Sequence, residues 1–435
     1  MRTLLFLLLF PLVLCGAEPR LKIAVVSDIH EKWNELERVF AFLAKKNPDV
    51  VLSGGDIANG NPASYKKYGE IYNRHFSKKK NPPVHIPILG NHDYLACPKG
   101  TKCPTAQESM KRFFAPMGLP SNWLQHYKVK GYTFIGVSAT DDKGEHSNKD
   151  EIKKVSDLIG RAEKDSPGKP VFVLTHLTPA FTLLCSNFNK TRPAKAPYYW
   201  RVDHIRQMLE NHPQAVSVSG HTHLAIEDER TIWQGEFTAI HGGVLRWVTP
   251  QKPAPESGLV DTIDRFKGRN FIYIEVFKKE MIIYRFDANT LREIKPNKRW
   301  RVTLPYTPEK AVYTAERSKK ETAPQFPAGA KAKIIRDGKK FYLQLDRAKH
   351  PDMVLAYKVK LTYDDKKISL PEFFVSSDYF LHDQKQGRAL NINEKIKLPA
   401  GSGKMEITPF ATFGKAGKTL VTKFNIPKKN KTEKK

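Results

Sequence analysis

The amino-acid sequence predicts an α/β layered domain followed by a small all-β domain. From residue 21, short apolar runs typical of strands alternate with stretches whose apolar residues recur at helical spacing. Beyond residue 330, polar and apolar residues alternate between turn signals such as Asp337-Gly338. Alternating strands and helices favour sheets covered by helices, whereas successive short strands favour an antiparallel β-sandwich.

The elements of the first domain follow one another in a regular order. The strand pattern LKIAVVSDIH precedes the helix pattern NELERVFAFLAKKNPD, which stops at a proline. Further strand patterns are VVLSGGDIANG, HIPILGNHDY, YTFIGVSAT, KPVFVLTHLTP and QAVSVSGHTHL, and EFTAIHGGVLRWV, NFIYIEVFKKEMIIYRFD and WRVTLP complete the domain. The patterns KAKIIRDGKKFYLQLDR, MVLAYKVKLTY, GKMEITPFATFGKAGK and TLVTKFNIP predict the second domain.

The N-terminal residues are typical of a secretory signal peptide. One positive charge precedes an apolar run, and a small-x-small triplet ends at Ala17, with cleavage expected before Glu18. The run is too short to span a bilayer comfortably. A lipid on Cys15 is the alternative, although Leu14 fits a lipoprotein signal poorly. We therefore predict a secreted, periplasmic or cell-surface protein.

Composition divides the chain into five parts. Residues 306–329 contain Thr, Pro, Ala, Lys and Glu without a clear period, which is typical of a linker. The predicted parts are a signal peptide at 1–17, the α/β domain at 18–305, this linker, the β-sandwich at 330–427 and a basic tail at 428–435.

Three cysteines remain after removal of the signal peptide. Cys97 and Cys103 flank a short loop, and export permits disulfides. The same loop suits two unpaired cysteines equally well, so both states stay open. If Cys97 and Cys103 pair, the third cysteine, Cys185, stays free.

The chain is strongly basic, with a formal net charge of +28, and more than half of that excess lies beyond residue 300. Such a charge attracts anionic glycans, cell surfaces or phosphorylated substrates, and it is equally typical of a generally cationic, solvated exterior. The sequence contains no motif of a known nucleic-acid module. It does not indicate an oligomeric state.

Polar residues follow the predicted strands in a pattern that suits metal ions. Carboxylate, carboxamide and imidazole side chains without thiolates favour divalent or trivalent Mn, Fe, Zn or Co. The set is too large for one tetrahedral ion, so it predicts two metal ions that share a carboxylate. Its members are Asp28, His30, Asp56, Asn91, His92, Asp93, His176, His221 and His223.

In this order, the motifs D-x-H, GD, GNHD, a lone His and GHTH resemble the calcineurin-like metallophosphoesterase superfamily over roughly residues 20–290. The resemblance implies a four-layer αββα sandwich with a dinuclear metal centre and a small phosphate-ester substrate. It assigns Asp28, His30 and His223 to the first metal, Asn91, His176 and His221 to the second, and Asp56 to both. It also implies in-line attack by a hydroxide that bridges the metals, with His92 protonating the leaving oxygen or stabilising charge in the transition state.

The residues around Asp56 suggest a subgroup of this superfamily. Purple acid phosphatases have an iron-bound tyrosine three residues after the bridging aspartate, and Ser/Thr phosphatases have an aspartate there, whereas this chain has Asn59. The run through Pro62 and Tyr65, with Asp93, is similar to class III cyclic nucleotide phosphodiesterases and bacterial glycerophosphodiesterases. This similarity implies phosphodiester substrates. A phosphomonoesterase of the same fold and a catalytically inert surface-binding or scaffold protein are the alternatives.

Several further residues are candidates for supporting roles. Asn59 is placed to orient His92, and Asp93 to support its loop. The long, basic and aromatic segment 185–204 offers Arg192, Tyr199 and Arg201 to a substrate, although its aromatic residues suit packing on their own domain equally well. The C-terminal sandwich resembles fibronectin type III or immunoglobulin-like modules in architecture alone. It suits binding to an anionic glycan or cell surface, or capping of the first domain.

Overall fold

The computed structural model describes residues 18–94, 104–140, 149–184, 203–256, 258–364, 368–382 and 389–428. The signal peptide, the basic tail beyond Lys428, the three cysteines that follow Ala17, and Arg192, Tyr199 and Arg201 lie outside these residues, and what we expect of them stays a prediction. Within the described ranges, no helix is long and apolar enough to cross a membrane.

The first unit contains two β-sheets and five α-helices among the residues described. Its strands are β1 (Leu21–Val26), β2 (Val50–Ser53), β3 (Val84–Pro87), β4 (Leu124–Val129), β5 (Tyr132–Val137), β6 (Val171–Thr175), β7 (Ala215–Ser219), β8 (Ile232–Gln234), β9 (Thr238–His241), β10 (Gly243–Val244), β11 (Asn270–Val276), β12 (Glu280–Asp287), β13 (Glu293–Ile294) and β14 (Trp300–Thr303). The helices are α1 (Trp33–Lys45), α2 (Pro62–Phe76), α3 (Ala106–Phe114), α4 (Lys149–Asp165) and α5 (Asp203–Leu209).

Parallel strands lie at the centre of both sheets. The first sheet has the order β13-β12-β11-β1-β2-β3, with β10 paired to β11 and β14 to β12. The second has the order β4-β5-β6-β7-β9-β8. Strands β1, β2 and β3 are parallel, as are β5, β6, β7 and β9. The carboxyl ends of each set therefore meet at one edge of its sheet, where ligands bind in open α/β sheets.

Three hydrophobic cores separate four layers. The central core joins the facing sides of the two sheets through residues such as Val25, Phe134 and Val218. A second core packs α1 and α2 on the outer face of the first sheet, and a third packs α4 and α5 on the outer face of the second. The predicted α/β layering is confirmed, and the order of layers is helix, sheet, sheet, helix.

Helices α1 and α2 show how the local sequence sets these layers. In α1, Leu36, Val39, Phe40 and Leu43 are buried, and this spacing places them on one helical face. Helix α2 begins at a proline in its first position, where a missing N–H costs least. The preceding Asn61 accepts a 3.0 Å hydrogen bond from the N–H of Ala63 as its N-cap.

The C-terminal unit is all β in the residues described. Its strands are β15 (Ala332–Asp337), β16 (Lys340–Leu345), β17 (Ala356–Tyr363), β18 (Ile368–Ser369), β19 (Phe373–Ser376), β20 (Leu390–Ile392), β21 (Gly401–Phe410) and β22 (Leu420–Ile426). The antiparallel sheets β15-β16-β20 and β18-β17-β21-β22, with β19 paired to β17, share one core that includes Leu343, Val359 and Ile407. The all-β character is confirmed, and the likeness to fibronectin or immunoglobulin modules stays a prediction.

Residues 306–329, which lack a periodic pattern, pack against both units. Tyr306 is buried in the core between the two sheets of the first unit. Arg317 donates hydrogen bonds to the carbonyl oxygens of Glu229 and Ile232, at 2.7 and 2.9 Å. Glu321 accepts from the N–H groups of two residues of the second unit, Phe413 and Lys415. Side-chain contacts over long sequence distances therefore hold this segment in place, and its helical structure is limited to the short 3-10 turns Pro308–Lys310 and Ala315–Lys320.

A buried ionic network joins the two units near Glu229. Its carboxylate accepts from Arg285 at 2.9 Å and from the indole of Trp300 at 2.9 Å. Lys295 lies 3.4 Å from the same carboxylate and 2.7 Å from that of Asp352 in the second unit. Burial opposes ionisation of Glu229, but the charges of Arg285 and Lys295 outweigh it and lower its pKa to about 2.

We expect Glu229→Gln to lower the free energy of unfolding at neutral pH by about 3 kcal/mol, because the buried Arg285 loses its ion-pair partner and Lys295 keeps only Asp352. Because the folded-state pKa is depressed, the contribution of Glu229 is present above the ordinary pKa of 4.5. It is lost as the pH falls towards about 2. Urea unfolding at several pH values measures both effects.

The control is Glu280→Gln, which removes the exposed ion pair with Arg301. Such pairs contribute less than about 1 kcal/mol. Equal losses of stability in the two variants, or a loss for Glu229→Gln that does not shrink in acid, would contradict the role assigned to the network.

Candidate metal centre

The residues expected to bind metal lie at the carboxyl ends of strands from both sheets. Asp28 and His30 follow β1, Asp56 follows β2, and Asn91 begins a 3-10 turn after β3. From the second sheet, His176 follows β6, and His221 and His223 follow β7. The two sheets face each other, so these ends form a common edge.

One group of donors comes from Asp28, His30, Asp56 and His223. Each offers one donor atom, all four side chains are buried, and these atoms lie within 4.8 Å of one another. His223 Nε2 is 3.3 Å from Asp28 Oδ1, and His30 Nε2 is 3.3 Å from Asp56 Oδ2. His30 Nε2 is buried and has no hydrogen-bond partner among the residues that the structure describes. A buried nitrogen of this kind beside two carboxylates fits a metal ligand.

A second group adjoins the first through Asp56. Asn91 Oδ1 lies 3.0 Å from His176 Nε2 and 2.9 Å from His221 Nδ1. His176 Nε2 is in turn 3.4 Å from Asp56 Oδ2. The same carboxylate oxygen is therefore close to an imidazole of each group, and the donor set fits two metal ions that share Asp56.

In His176 and His223, the nitrogen that is not directed at the carboxylates, Nδ1, contacts a backbone carbonyl. His176 Nδ1 lies 2.7 Å from the oxygen of Gly54, and His223 Nδ1 lies 3.0 Å from the oxygen of Trp247. A carbonyl can only accept, so each Nδ1 carries a proton and donates. In the neutral ring, the lone pair of Nε2 is then directed at the carboxylates, as a metal ligand requires.

The backbone at this edge adopts an unusual conformation. Five of the expected ligands have positive φ angles in the left-handed region, which non-glycine residues seldom occupy. Such conformations persist where the surrounding structure holds them, often at functional sites. These residues are Asp28 (50°), His30 (44°), Asp56 (52°), His221 (66°) and His223 (52°).

Two motif glycines allow the loops to approach one another. A Cβ atom on Gly90 would overlap the carboxylate and backbone of Asp56. A Cβ atom on Gly220 would overlap Ser27 and the carboxylate of Asp28. The glycines of GNHD and GHTH therefore have a steric role, since any side chain would push the ligand loops apart.

His92 lies beside the shared carboxylate. Its backbone N–H donates to Asp56 Oδ1 at 2.8 Å, and its Nδ1 is 3.0 Å from Asn59 Oδ1. Its ring contacts that of His30 edge-on, with centroids 4.5 Å apart. The side chain is only partly buried. It can therefore contact a ligand that enters over the two donor groups.

Residues 21–225 match the model of the calcineurin-like phosphoesterase family. They form a calcineurin-like phosphoesterase domain. The protein is accordingly a metal-dependent phosphoric ester hydrolase, and the predicted superfamily is confirmed. No curated protein matches the chain.

Solved structures with a similar arrangement include three phosphoesterases. A dimetal phosphatase from Danio rerio is 9% identical, with a TM-score of 0.46 over 67% of this chain and 100% of that one. The purple acid phosphatase PPD1 from yellow lupin (Lupinus luteus) seeds is 9% identical, with a TM-score of 0.42 over 65% and 53%. The Escherichia coli phosphoesterase Yfce is 16% identical, with a TM-score of 0.29 over 64% and 98%. Scores and identities this low do not bear on the activity of this chain.

The buried side chain of Asp93 connects the GD and GNHD loops of the phosphoesterase domain. Its carboxylate accepts from the N–H groups of Asp56, Ala58 and Gly90 at 2.8–3.1 Å. It also accepts a 2.9 Å hydrogen bond from the hydroxyl of Tyr65 on α2. One buried carboxylate thus connects the GD loop, the GNHD loop and the adjacent helix.

The two buried carboxylates of the metal centre, Asp28 and Asp56, are stabilised in their charged form by neighbouring imidazoles. Burial opposes ionisation of both aspartates. The effect of His223 outweighs it at Asp28, and that of His176 outweighs it at Asp56, so both pKa values are lowered. Burial likewise opposes the charged form of His176, but Asp56 raises its pKa to about 9. The two acids are therefore ionised at neutral pH, as ligands of a metal cation must be.

Sequence reasoning missed two residues that reach this edge of the domain. Arg246 Nη1 lies 3.0 Å from His30 Nδ1, and the ring of Trp247 lies 5.6 Å from that of His223. Both follow β10 within the stretch GGVLRWV, which we interpreted only as a strand. The available signal was a strand pattern followed by a glycine pair and a charged residue, as in GGD after β2.

Proposed function

We propose that the protein hydrolyses phosphodiesters, such as cyclic nucleotides or glycerophosphodiesters, at a dinuclear metal centre. The position of Asp56 is the main observation in support. Its Oδ2 lies 3.3 Å from His30 Nε2 and 3.4 Å from His176 Nε2, between the two donor groups. A carboxylate shared in this way would be a ligand of both ions of a two-metal centre.

Each donor group has a place in this proposal. Asp28, His30 and His223 would hold one metal, Asn91, His176 and His221 the other, and Asp56 both. The neutral oxygen of Asn91 balances less positive charge than a carboxylate would. When bound, two ions of Mn, Fe, Zn or Co neutralise charge on phosphoryl oxygens and lower the pKa of a water molecule.

His92 is the proton donor in the proposed reaction. In its imidazolium form, Nδ1–H donates to Asn59 Oδ1, 3.0 Å away, and Nε2–H remains for the leaving ester oxygen. Burial lowers the pKa of His92. Because Asn59 is neutral, it orients the ring without stabilising the charge. An anionic substrate close to His92 would favour the charged form that the reaction needs.

The residues around Asn59 support phosphodiester substrates. Asn59, three residues after Asp56, stands where purple acid phosphatases have a metal-bound tyrosine in their sequences, and its Oδ1 lies 3.0 Å from His92 Nδ1. Tyr65 donates to Asp93 at 2.9 Å, and Asp93 accepts from the N–H of Asp56. The residues that resemble those of cyclic nucleotide phosphodiesterases therefore form one hydrogen-bonded unit next to the shared carboxylate.

A substrate panel tests this proposal. Metal-loaded protein is assayed with bis(p-nitrophenyl) phosphate, p-nitrophenyl phosphate, cyclic nucleotides and glycerophosphodiesters. We expect kcat/KM for the aryl diester to exceed that for the aryl monoester by at least about tenfold, or about 1.4 kcal/mol in activation free energy. A preference for the monoester would instead support a phosphomonoesterase. Full metal content without turnover of any ester would support the scaffold alternative.

A further inference from the structure

We propose that Trp247, Phe266 and Ile263 form a substrate-binding wall for a planar aromatic group, such as a nucleobase, and that Arg246 binds the phosphate beside it. This inference rests on the proposed function and deepens it. The metal centre would bind the phosphate of any ester. The wall would add specificity by binding the organic group attached to that phosphate.

Trp247 lies directly beside the first donor group. Its ring is nearly parallel to that of His30, with centroids 6.4 Å apart, and its centroid lies 5.6 Å from that of His223. Its backbone oxygen accepts the 3.0 Å hydrogen bond from His223 Nδ1. The indole is only partly buried. The organic group of an ester bound at the first donor group would therefore lie within reach of the exposed part of the indole.

Phe266 and Ile263 extend this aromatic surface. They are three residues apart in the 3-10 turn Ile263–Lys267, and residues at this spacing project on the same side of such a turn. The ring of Phe266 contacts that of Trp247 edge-on, with centroids 5.4 Å apart. Adjacent exposed apolar side chains of this kind mark a binding surface more often than single ones do.

The exposure of these side chains is unusual for this protein. Phe266 is 44% exposed and Ile263 is 46% exposed. In the part of the chain that the structure describes, four large apolar side chains are exposed, and two of them lie in this one turn, where Phe266 contacts Trp247. Covering them with an apolar ligand would be favourable, because it would remove apolar surface from water.

Arg246 provides a positive charge beside the aromatic wall, where the phosphate of an ester would lie. Its guanidinium carbon lies 3.7 Å from the centre of the Trp247 ring, and its Nη1 is 3.0 Å from His30 Nδ1. Its backbone N–H donates to the oxygen of Asp28 at 3.0 Å, so the chain is held against the ligand loop. Among the described residues, its guanidinium forms no ion pair with a carboxylate. A guanidinium in this position can bind phosphate oxygens.

The C-terminal unit supports the wall from behind. Phe380 packs with Val244 and Val248, the latter adjacent to Trp247. A Cβ atom on Gly268, just after the turn that carries Phe266, would lie 2.8 Å from the ring of Phe380. His382 also contacts Glu227 of the first unit at 2.7 Å. These contacts hold the wall in place before a ligand arrives, which reduces the entropy lost on binding.

Two esters with the same leaving group test the wall. The p-nitrophenyl ester of thymidine 5′-monophosphate carries a nucleobase, and methyl p-nitrophenyl phosphate does not. We expect Trp247→Ala to lower the kcat/KM for the nucleotide ester relative to that for the methyl ester by about 5- to 150-fold, the range typical of one lost base stack. Phe266→Ala, at an exposed position that folding tolerates, should lower the same ratio, and Trp247→Phe should retain most of it.

Trp233→Ala is the matched control, because Trp233 also has an arginine over its ring, with the guanidinium carbon of Arg206 at 5.7 Å. It packs in the third core, on the outer face of the second sheet, so its loss should leave the ratio unchanged. If Trp233→Ala lowered this ratio of kcat/KM values as much as Trp247→Ala does, the proposal would be overturned.

Calorimetry separates failure of the wall from failure of the proposed function. We expect adenosine 5′-monophosphate to bind metal-loaded protein more tightly than methyl phosphate, and Trp247→Ala to remove that difference. If the protein hydrolyses diesters but binds the two ligands equally, the wall is refuted and the proposed function stands. If no diester is hydrolysed but Trp247→Ala still weakens binding of the nucleotide, the wall stands and the proposed function fails.

Discussion

Asp56→Asn lowers kcat/KM for an aryl phosphodiester by at least about 1000-fold, or about 4 kcal/mol in activation free energy. The expected loss is this large because Asp56 Oδ2 lies within 3.4 Å of one imidazole from each donor group. The amide keeps the size of the side chain but removes the negative charge that two cations would share. Both metals should therefore bind more weakly.

Metal content distinguishes this cause from a change in folding. Elemental analysis after dialysis should find about two ions per chain in the unsubstituted protein and fewer in Asp56→Asn. Asp157→Asn is the matched control, because that carboxylate pairs with Lys153 on the exposed face of α4. Full activity and full metal content in Asp56→Asn would exclude Asp56 as the shared ligand.

His92→Ala should lower kcat by about 100- to 10,000-fold without removing metal, the range typical of a lost general acid. The side chain of His92 contacts Asn59 and His30, and the hydrogen bond from His92 to the shared carboxylate comes from its backbone N–H. Alanine retains that N–H, so the metal ligands should keep their positions. The loss then comes from chemistry at the leaving oxygen.

The dependence on the leaving group checks this role of His92. A poor leaving group needs the proton more than p-nitrophenolate does, so the defect should grow as the leaving-group pKa rises. A series of aryl and alkyl esters measures this slope. His126→Ala, which removes an exposed histidine of β4, is the control. An equal defect for all esters would show that His92 binds or positions the substrate and does not protonate it.

The metal ligands could be predicted from the sequence because each follows a recognisable strand. A buried parallel strand ends at a known edge of its sheet, so Asp28, Asp56 and His176 reach the same place although they are far apart in sequence. Helix α1 was equally predictable, since the spacing of Leu36, Val39 and Phe40 is a local property. Its C-terminus was marked by the proline after Asn47.

Arg246 and Trp247 could not be predicted in the same way. No spacing rule relates them to His30, since their contact depends on β10 pairing with β11 beside β1. The network of Glu229 with Arg285, Lys295 and Asp352 is likewise invisible in the sequence. Isolated charged residues are usually solvated, and only the tertiary packing brings these four together in a buried position.

The sequence by itself determined the α/β and all-β character of the two units, the strand that positions each expected metal ligand, and the superfamily. These follow from periodicity and short motifs, which are local properties of the chain. The tertiary structure alone decided that Asp56 lies between two donor groups, that residues 306–329 pack on both units, and that an aromatic wall adjoins the metal ligands. Such contacts depend on how sheets and loops pack across long sequence separations, and a local pattern does not encode that packing.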